Sequence, residues 1–449
     1  MIDAIDLRRR VTAPVDLASL ALLRVALGGL VAISMARLVG HGWAEQWFLQ
    51  PCFRFAYYGF DWVQPPPAPL RLLLFWGVGL LGVLVAAGLF YRVAIVLLFL
   101  GFSWIQLLDV TNYLNHYVLV SYLCLLSAFL PLNGCWSLDA ALFPSVRRAE
   151  VPRWQLWVVR AQIAVVYFHA GLAKATPDWL LHAEPLQIWL TARAHLPVIV
   201  GLLAWRPTAF VMSWAGFLFD TTIVGFLLWR RTRAVAYAAL LGFHTATWLL
   251  FPIGMFPLIM TAAATVFFDP SWPRRWLTPG VASRASTARS RSAGGPIVAF
   301  AWAALQLVVP LRTHLYGGNV LWHEQGMRLS WRVMCREKNA SVTYLVDDLD
   351  TGRTVEVPPH RYLDARQERE FSAQPDLVLQ LAHRIARDWQ AAGHPNVRVR
   401  ADVWVSLNGR PATRLVDPNV DLGHTPDGLG PARWVLPAPG GAPVKRRFT

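Results

Sequence analysis

Charged residues are scarce in this chain. Lys, Arg, Asp and Glu together make up 15% of its 449 residues, while apolar and aromatic types make up 55%. Soluble domains carry about 25% charged residues, so the shortage argues against an ordinary soluble protein. Acidic residues are the rarer sign, 27 against 42 basic, for a net charge of +15. Cysteine is rarer still, and four residues cannot form a disulfide framework. A single Cys52–Cys335 bridge and a pair of unpaired thiols are both compatible with the sequence. There is no glycine-rich phosphate loop, and the histidines are not spaced as a zinc site. His323-Glu324 lacks a second histidine four residues after the first, so no metalloprotease helix is present and no metal is expected.

What the chain does have is long apolar runs. A helix needs about 20 apolar residues to cross ~30 Å of hydrocarbon. Leu17–Val39, Leu70–Phe90, Val93–Val110, Tyr117–Leu132, Trp157–Lys174, Phe210–Trp229, Ala234–Pro252, Phe256–Phe268 and Pro296–Leu311 are the candidate spans. The fold class that follows is a polytopic α-helical membrane domain with about nine transmembrane helices. Behind it comes a small extracytoplasmic domain, α+β and mostly β. The first run is too long for a signal peptide and lacks a small-residue cleavage site.

The basic excess is sorted by connection. Arg8-Arg9-Arg10, Arg92, Arg147-Arg148 with Arg153, Arg230-Arg231-Arg233, and Arg274-Arg275 through Arg291 fall in alternate loops. That is the positive-inside pattern, with the N-terminus cytoplasmic and the C-terminal segment outside. It accounts for the charge through membrane orientation and needs no nucleic acid. A bacterial inner or plasma membrane is the expected location.

Residues 1–312 form the expected membrane domain, with a cytoplasmic linker at Thr278–Gly295, and residues 313–449 form the second domain. In the latter, Ser341–Val346 and Arg353–Val357 flank the turn Asp350-Thr351-Gly352. Leu377, Leu381, Ile385 and Trp389 mark one helical face within Asp376–Ala392. Val397 to Leu407 alternates up to Asn408-Gly409, a strong hairpin signal. The tail after about Leu422, rich in Gly and Pro, is expected to be disordered.

Several residues could carry chemistry. Tyr167-Phe168-His169-Ala170-Gly171-Leu172-Ala173-Lys174 ends an apolar run on a lone lysine. Such a lysine is either a desolvated amine tuned as a base or a snorkelling residue with its ammonium among headgroups. Asn115-His116 is a polar pair at a span boundary, where Asn115 alone could be a helix cap. His244 lies inside a span, as a site residue or an interhelical hydrogen bond. Met255, Phe256 and Met260, near the turn at Gly254, suit an apolar ring-shaped ligand or a packed core. Arg24, Asp109 and Asp220 are expected to pair with one another.

Taken in order, the short motifs resemble those of the vitamin K-dependent γ-glutamyl carboxylase family in its bacterial HTTM-domain form. They are Asn115-His116-Tyr117, Tyr167 to Lys174 with Asp178-Trp179, Ile253-Gly254-Met255-Phe256-Pro257 and Ser271-Trp272-Pro273-Arg274. Ser330-Trp331-Arg332-Val333-Met334, Asp402 to Asn408 and Asp417-Pro418 follow in the second domain. The resemblance implies a membrane enzyme that oxygenates vitamin K hydroquinone, or menaquinol, to the 2,3-epoxide with O2. It couples this to γ-carboxylation of glutamyl residues with CO2. Lys174 would be the base, with His116 beside it in catalysis. Asn115 would help handle the quinone, and Tyr167, Phe256 and Met260 would line its pocket. The implied partners are a lipid quinone, membrane lipids and a glutamate-containing peptide or protein. The chain departs from the animal enzymes in being shorter and in having Ala173-Lys174 where they have two lysines. Two other functions fit the same residues: a quinol-epoxidising or quinone-binding oxidoreductase without carboxylation, and a non-enzymatic scaffold or transporter.

Overall fold

The computed structural model describes residues 4–193, 200–277 and 294–444. The linker expected at Thr278–Gly295 falls almost wholly outside them, as does Lys445-Arg446-Arg447. Each apolar run forms a helix: α1 (Ala18–Gly40), α2 (Arg71–Ala87), α3 (Tyr91–Leu107), α4 (Asn115–Phe129), α5 (Arg153–Lys174), α6 (Arg206–Leu228), α7 (Arg233–Leu250), α8 (Phe256–Ala264) and α9 (Gly294–Val308). Their outward faces are apolar, with Leu73, Leu80, Val93, Val211 and Phe300 all more than half exposed. An apolar surface of that kind belongs against lipid, which marks a membrane protein.

The expected nine spans are not all confirmed. Among the described residues, five helical segments are long and apolar enough to cross a membrane: Ala18–Gly40, Ala68–Ala87, Arg153–Lys174, Arg206–Leu228 and Gly294–Tyr316. At ~1.5 Å rise per residue, the 17 residues of α3, 15 of α4 and 9 of α8 fall short of the hydrocarbon thickness. Hydropathy alone could not separate a full crossing from a shorter apolar helix packed among the others.

Small residues let α1 and α2 touch. A Cβ on Gly82 would lie 2.8 Å from the Gly28 carbonyl oxygen, and Gly28 is blocked likewise by the α2 backbone. Close backbone approach of this kind supplies the packing that lipid cannot drive. The intramembrane charges do not pair as expected. Arg24, fully buried, donates to the Val85, Ala86 and Trp136 carbonyls at 2.7, 2.6 and 2.5 Å. It thereby satisfies free acceptors at the C-terminus of α2. Gly88, at φ +67°, leaves it room: a Cβ there would sit 2.5 Å from the guanidinium. Asp109 accepts from the Thr111 amide and hydroxyl and from Gln367.

A two-stranded ribbon, β1 (Pro14–Asp16) with β2 (Glu150–Pro152), ties the start of α1 to the start of α5. The C-terminal domain is a four-stranded antiparallel sheet, order β4-β3-β5-β6, from β3 (Lys338–Asp348), β4 (Arg353–Val357), β5 (Val397–Leu407) and β6 (Thr413–Arg414). Two helices, α10 (Ala365–Phe371) and α11 (Pro375–Ala391), belong to this domain, and α11 packs on β5. The alternating residues Val397 to Leu407 are all buried, as are Leu377, Leu381 and Ile385 on the facing helix, with Trp389 at the edge. Full burial of each such aliphatic side chain is worth ~1.5–3 kcal/mol. Asn408 and Gly409, both at positive φ, turn the β5–β6 hairpin.

The tail expected to be disordered has neither helix nor strand through Gly423–Val444, yet it is packed. A bridge pairs Val416 with Val435, and the Leu436 carbonyl accepts from the buried Trp322 indole. Backbone hydrogen bonding to the sheet edge holds what composition alone reads as loose chain. All four cysteines are free, with Cys52 exposed and Cys335 buried, so the Cys52–Cys335 bridge is absent.

Candidate functional site

The segment Tyr167 to Lys174 is the last two turns of α5. Tyr167, Ala170 and Lys174 recur at three- and four-residue intervals and so share a face. That face looks into a cavity, while Phe168 and Leu172 on the other side are exposed to the surroundings. Beyond Lys174 the chain must turn. Thr176 caps a short helix, Pro177–His182, through the Trp179 amide, with Pro177 at its first position. This turn brings the Trp179 ring to 5.4 Å from the Lys174 ammonium. The indole is fixed in turn by donating to the Ser213 carbonyl at 2.8 Å.

Lys174 is not the lone amine that the sequence suggests. Its Nζ donates to Asp220 Oδ2 at 2.7 Å and to the Ala170 carbonyl at 3.2 Å, with both charged side chains 7% exposed. The expectation of an isolated base in hydrocarbon is thereby corrected to a buried ion pair. The reason is a close contact between helices. A Cβ on Gly171 would fall 2.6 Å from Thr221 Cγ2 and 3.0 Å from the Thr221 amide nitrogen. Glycine therefore lets α5 meet α6 just where Asp220 projects. The sequence marks Asp220 as an intramembrane charge, but its partner lies 46 residues away and no local spacing reveals it.

The cavity lies among α5, α6, α7 and α8, and Val333 and Met334 of the C-terminal domain also line it. It encloses about 90 Å³. Tyr167, Lys174, His244, Phe256 and Met260, all expected site residues, line it together. His244 is 2% exposed, and its Nε2 shares a 2.9 Å hydrogen bond with the Tyr167 hydroxyl, while its Nδ1 has no partner. A buried imidazole nitrogen left open beside an apolar cavity is a ready contact for a ligand oxygen. The polar groups thus sit as two dyads, Lys174–Asp220 and Tyr167–His244, in walls of Trp, Phe, Met and Ile. Such a lining fits a flat apolar ring bearing oxygens.

Three expected site residues lie elsewhere. Met255 is buried but does not line this cavity. His116 packs its ring 6.0 Å from Phe256, behind the cavity wall. Asn115 lines a second, polar cavity, and its Oδ1 accepts from Tyr113 at 3.0 Å. His169 turns away from the site toward Leu307 on α9.

The two domains meet at motif residues. Asp178 accepts from Arg410 at 2.7 and 2.6 Å and from Asn408 at 2.8 Å, which joins the turn after Lys174 to the β5–β6 hairpin. Burial opposes ionisation there, but the hydrogen bonds of Arg410 and Asn408 and the guanidinium charge hold this carboxyl below its ordinary value. The segment from Glu324 to Met334 carries left-handed backbone at Glu324, Leu329, Trp331 and Met334. Strained backbone is stored where a side chain must be aimed. Here it presents Val333 and Met334 to the apolar cavity and Arg332 to the polar one. Among the described residues no three His, Cys, Asp or Glu side chains gather as metal ligands.

Two sequence profiles match this chain. The HTTM domain covers residues 12–272, and the lumenal domain of vitamin K-dependent gamma-carboxylase covers residues 294–440. No solved structure matches it.

Proposed function

Since the chain belongs to the vitamin K-dependent gamma-carboxylase family, we propose that it oxygenates vitamin K hydroquinone or menaquinol to the 2,3-epoxide and uses that reaction to carboxylate glutamyl side chains. The observation that carries the reading is the Lys174–Asp220 pair in the wall of an otherwise apolar cavity. When bound, the hydroquinone would supply, on oxidation by O2, the strong base that removal of a glutamyl γ-proton demands and that no side chain can match.

The side chains do the proton work. Lys174 takes up a quinol hydroxyl proton once its own has passed to Asp220, 2.7 Å away. The pair gains one proton in total and finishes as ammonium beside carboxylic acid, so the two groups titrate as a unit. Trp179 and the Ala170 carbonyl hold the amine in place throughout. At the other dyad, Tyr167 orients His244, whose free Nδ1 binds a second ring oxygen. Met260 and Phe256 close over the ring and exclude water, with His116 bracing Phe256 from behind. The alternating arginine loops support a C-terminal domain on the extracytoplasmic side, where it would present the peptide glutamate.

The test is turnover of reduced vitamin K by the full-length protein in detergent, with ¹⁴C-bicarbonate and a glutamate-containing peptide. Epoxide and label should both form, and Lys174→Ala should lose at least about a hundredfold in both, as expected for removing a general base. Epoxide without label would leave an oxygenase that carboxylates nothing. Neither product, with quinone still bound, would make the protein a quinone binder.

A further inference from the structure

One wall of the apolar cavity comes from none of the helices α1 to α9. Beyond Lys174 the chain forms a short helix, Leu186–Ala192, and its Leu186 and Trp189 line the cavity. Seven residues are too few to hold a helix by backbone bonds alone, so this wall keeps its place through side-chain contacts. Leu186 and Leu190 are buried in a small cluster with Ala209 and Phe251, separate from the main helical core. The Trp189 ring meets Phe251 edge-on at 6.0 Å. Its N–H still needs an acceptor, because an indole nitrogen only donates.

The acceptor comes from the other domain. Trp189 Nε1 donates to Glu337 Oε2 at 2.6 Å. A hydrogen bond to a carboxylate is roughly twice as strong as one between neutral groups. Glu337 lies just before β3 and is itself fixed. Its amide donates to Asn408 Oδ1 at 2.8 Å, its carbonyl accepts from the Asn408 amide at 2.9 Å, and Asn339 reaches its other carboxylate oxygen at 3.3 Å. Asn408, fully buried at the β5–β6 turn, also donates to Asp178 at 2.8 Å. One asparagine therefore fixes two carboxylates, and each sits at a tryptophan of the cavity. Glu337 holds Trp189 directly, and Asp178 is the chain neighbour of Trp179.

We propose that Glu337 is a positioning residue for the quinone: from the C-terminal domain it sets the Trp189 ring as a wall against which the ligand ring packs. The assignment rests on the quinol reading above. The helical domain supplies the reacting groups, and the C-terminal domain completes their enclosure. Loss of the Glu337 carboxylate leaves the Trp189 N–H unpaired and the short helix free to shift. The ligand then loses a packing surface, while Lys174 keeps Asp220 and Tyr167 keeps His244.

The experiment is scintillation-proximity binding of tritiated vitamin K quinone to the immobilised full-length protein in detergent. Binding requires no oxygenation, so the wild type tests the quinone reading and the variants test the wall. Glu337→Ala should weaken binding about tenfold, the loss expected when a hydrogen bond to a charged group is removed. Trp189→Phe keeps a ring, drops the donor and should weaken binding to a similar degree. The double variant should be no weaker than either single one, because both changes remove the same interaction. Glu337→Gln keeps an acceptor oxygen and should recover most of the affinity. If Glu337→Ala does not fold, Trp189→Phe and Glu337→Gln carry the test. With the wild type binding quinone, three outcomes would overturn the wall and leave the quinone reading standing: wild-type affinity in Glu337→Ala or Trp189→Phe, losses that add in the double variant, or a glutamine variant as weak as the alanine one. A wild type that binds no quinone would overturn both.

Discussion

The two domains of this protein differ in where they keep part of their charge. In the helical domain the charged groups with structural weight are buried and hydrogen-bonded: Arg24 to three carbonyls, Asp109 to Thr111 and Gln367, Lys174 to Asp220. In the C-terminal domain several ion pairs lie at the surface, such as Arg384–Asp388 with side chains 41% and 38% exposed and Arg414–Asp402 with 45% and 35%. Water weakens the second kind until it contributes almost nothing, whereas the first kind has no water to fall back on. A buried pair in lipid therefore marks either architecture or chemistry. Arg24 is architecture, since it only caps carbonyls. Lys174–Asp220 faces a cavity, where the proposed function gives it a chemical role.

The sharpest way to break this contrast is to remove one half of the buried pair. Asp220→Ala strands the Lys174 charge and should cost about 3–5 kcal/mol, read as a lower melting temperature in detergent. The double change Lys174→Met with Asp220→Leu should recover most of that stability and no quinol epoxidation. A double variant as unstable as Asp220→Ala would show that the pair holds the helices together. Next in size is Gly171→Ala. It forces α5 from α6 and should cost about 1–3 kcal/mol while reducing epoxidation. Gly225→Ala on the same α6, with nothing within 4 Å, should do neither.

Smaller again is the pH dependence of the domain contact. The folded value of Asp178 lies below its ordinary 3.8. The contact is therefore at full strength above about pH 4 and is lost as pH falls through the depressed value. Energy transfer between labels on the two domains should hold steady from pH 7 to 4 and fall below that. Asp178→Asn should weaken docking at neutral pH and flatten the profile, and an unchanged acid transition in that variant would assign it to other groups. Smallest of all, Arg384→Ala should shift unfolding by less than about 0.5 kcal/mol, and a larger effect would show that the surface pairs matter after all.

Much of the architecture was legible in the chain because burial leaves a local period. The apolar runs located the membrane helices, the 3.6-residue period located α11, and the alternation from Val397 to Leu407 located the central strand. Helix length was less legible, since an apolar residue packed against protein reads the same as one packed against lipid. The tail lacks helix and strand as its composition predicts, yet it is packed. Gly and Pro forbid helices and strands but do not prevent a chain from hydrogen-bonding along a sheet edge, as residues Asp417 and Leu436 do.

Within the site, the sequence by itself determined the side chains that α5 turns to one face, Tyr167 and Lys174, because a helix repeats every three to four residues. It also supplied Gly171, whose missing side chain permits the helices to meet. Only the tertiary structure decided what they meet. Asp220 reaches Lys174 from another helix, His244 reaches Tyr167 across 77 residues, and Arg410 reaches Asp178 across 232. Asn115 and His116 are adjacent in the chain, yet one lines the polar cavity and the other packs on Phe256 of the apolar one, since neighbouring residues on a helix point about 100° apart. Local pattern fixes which residues share a face, and long-range packing alone fixes which charges become partners.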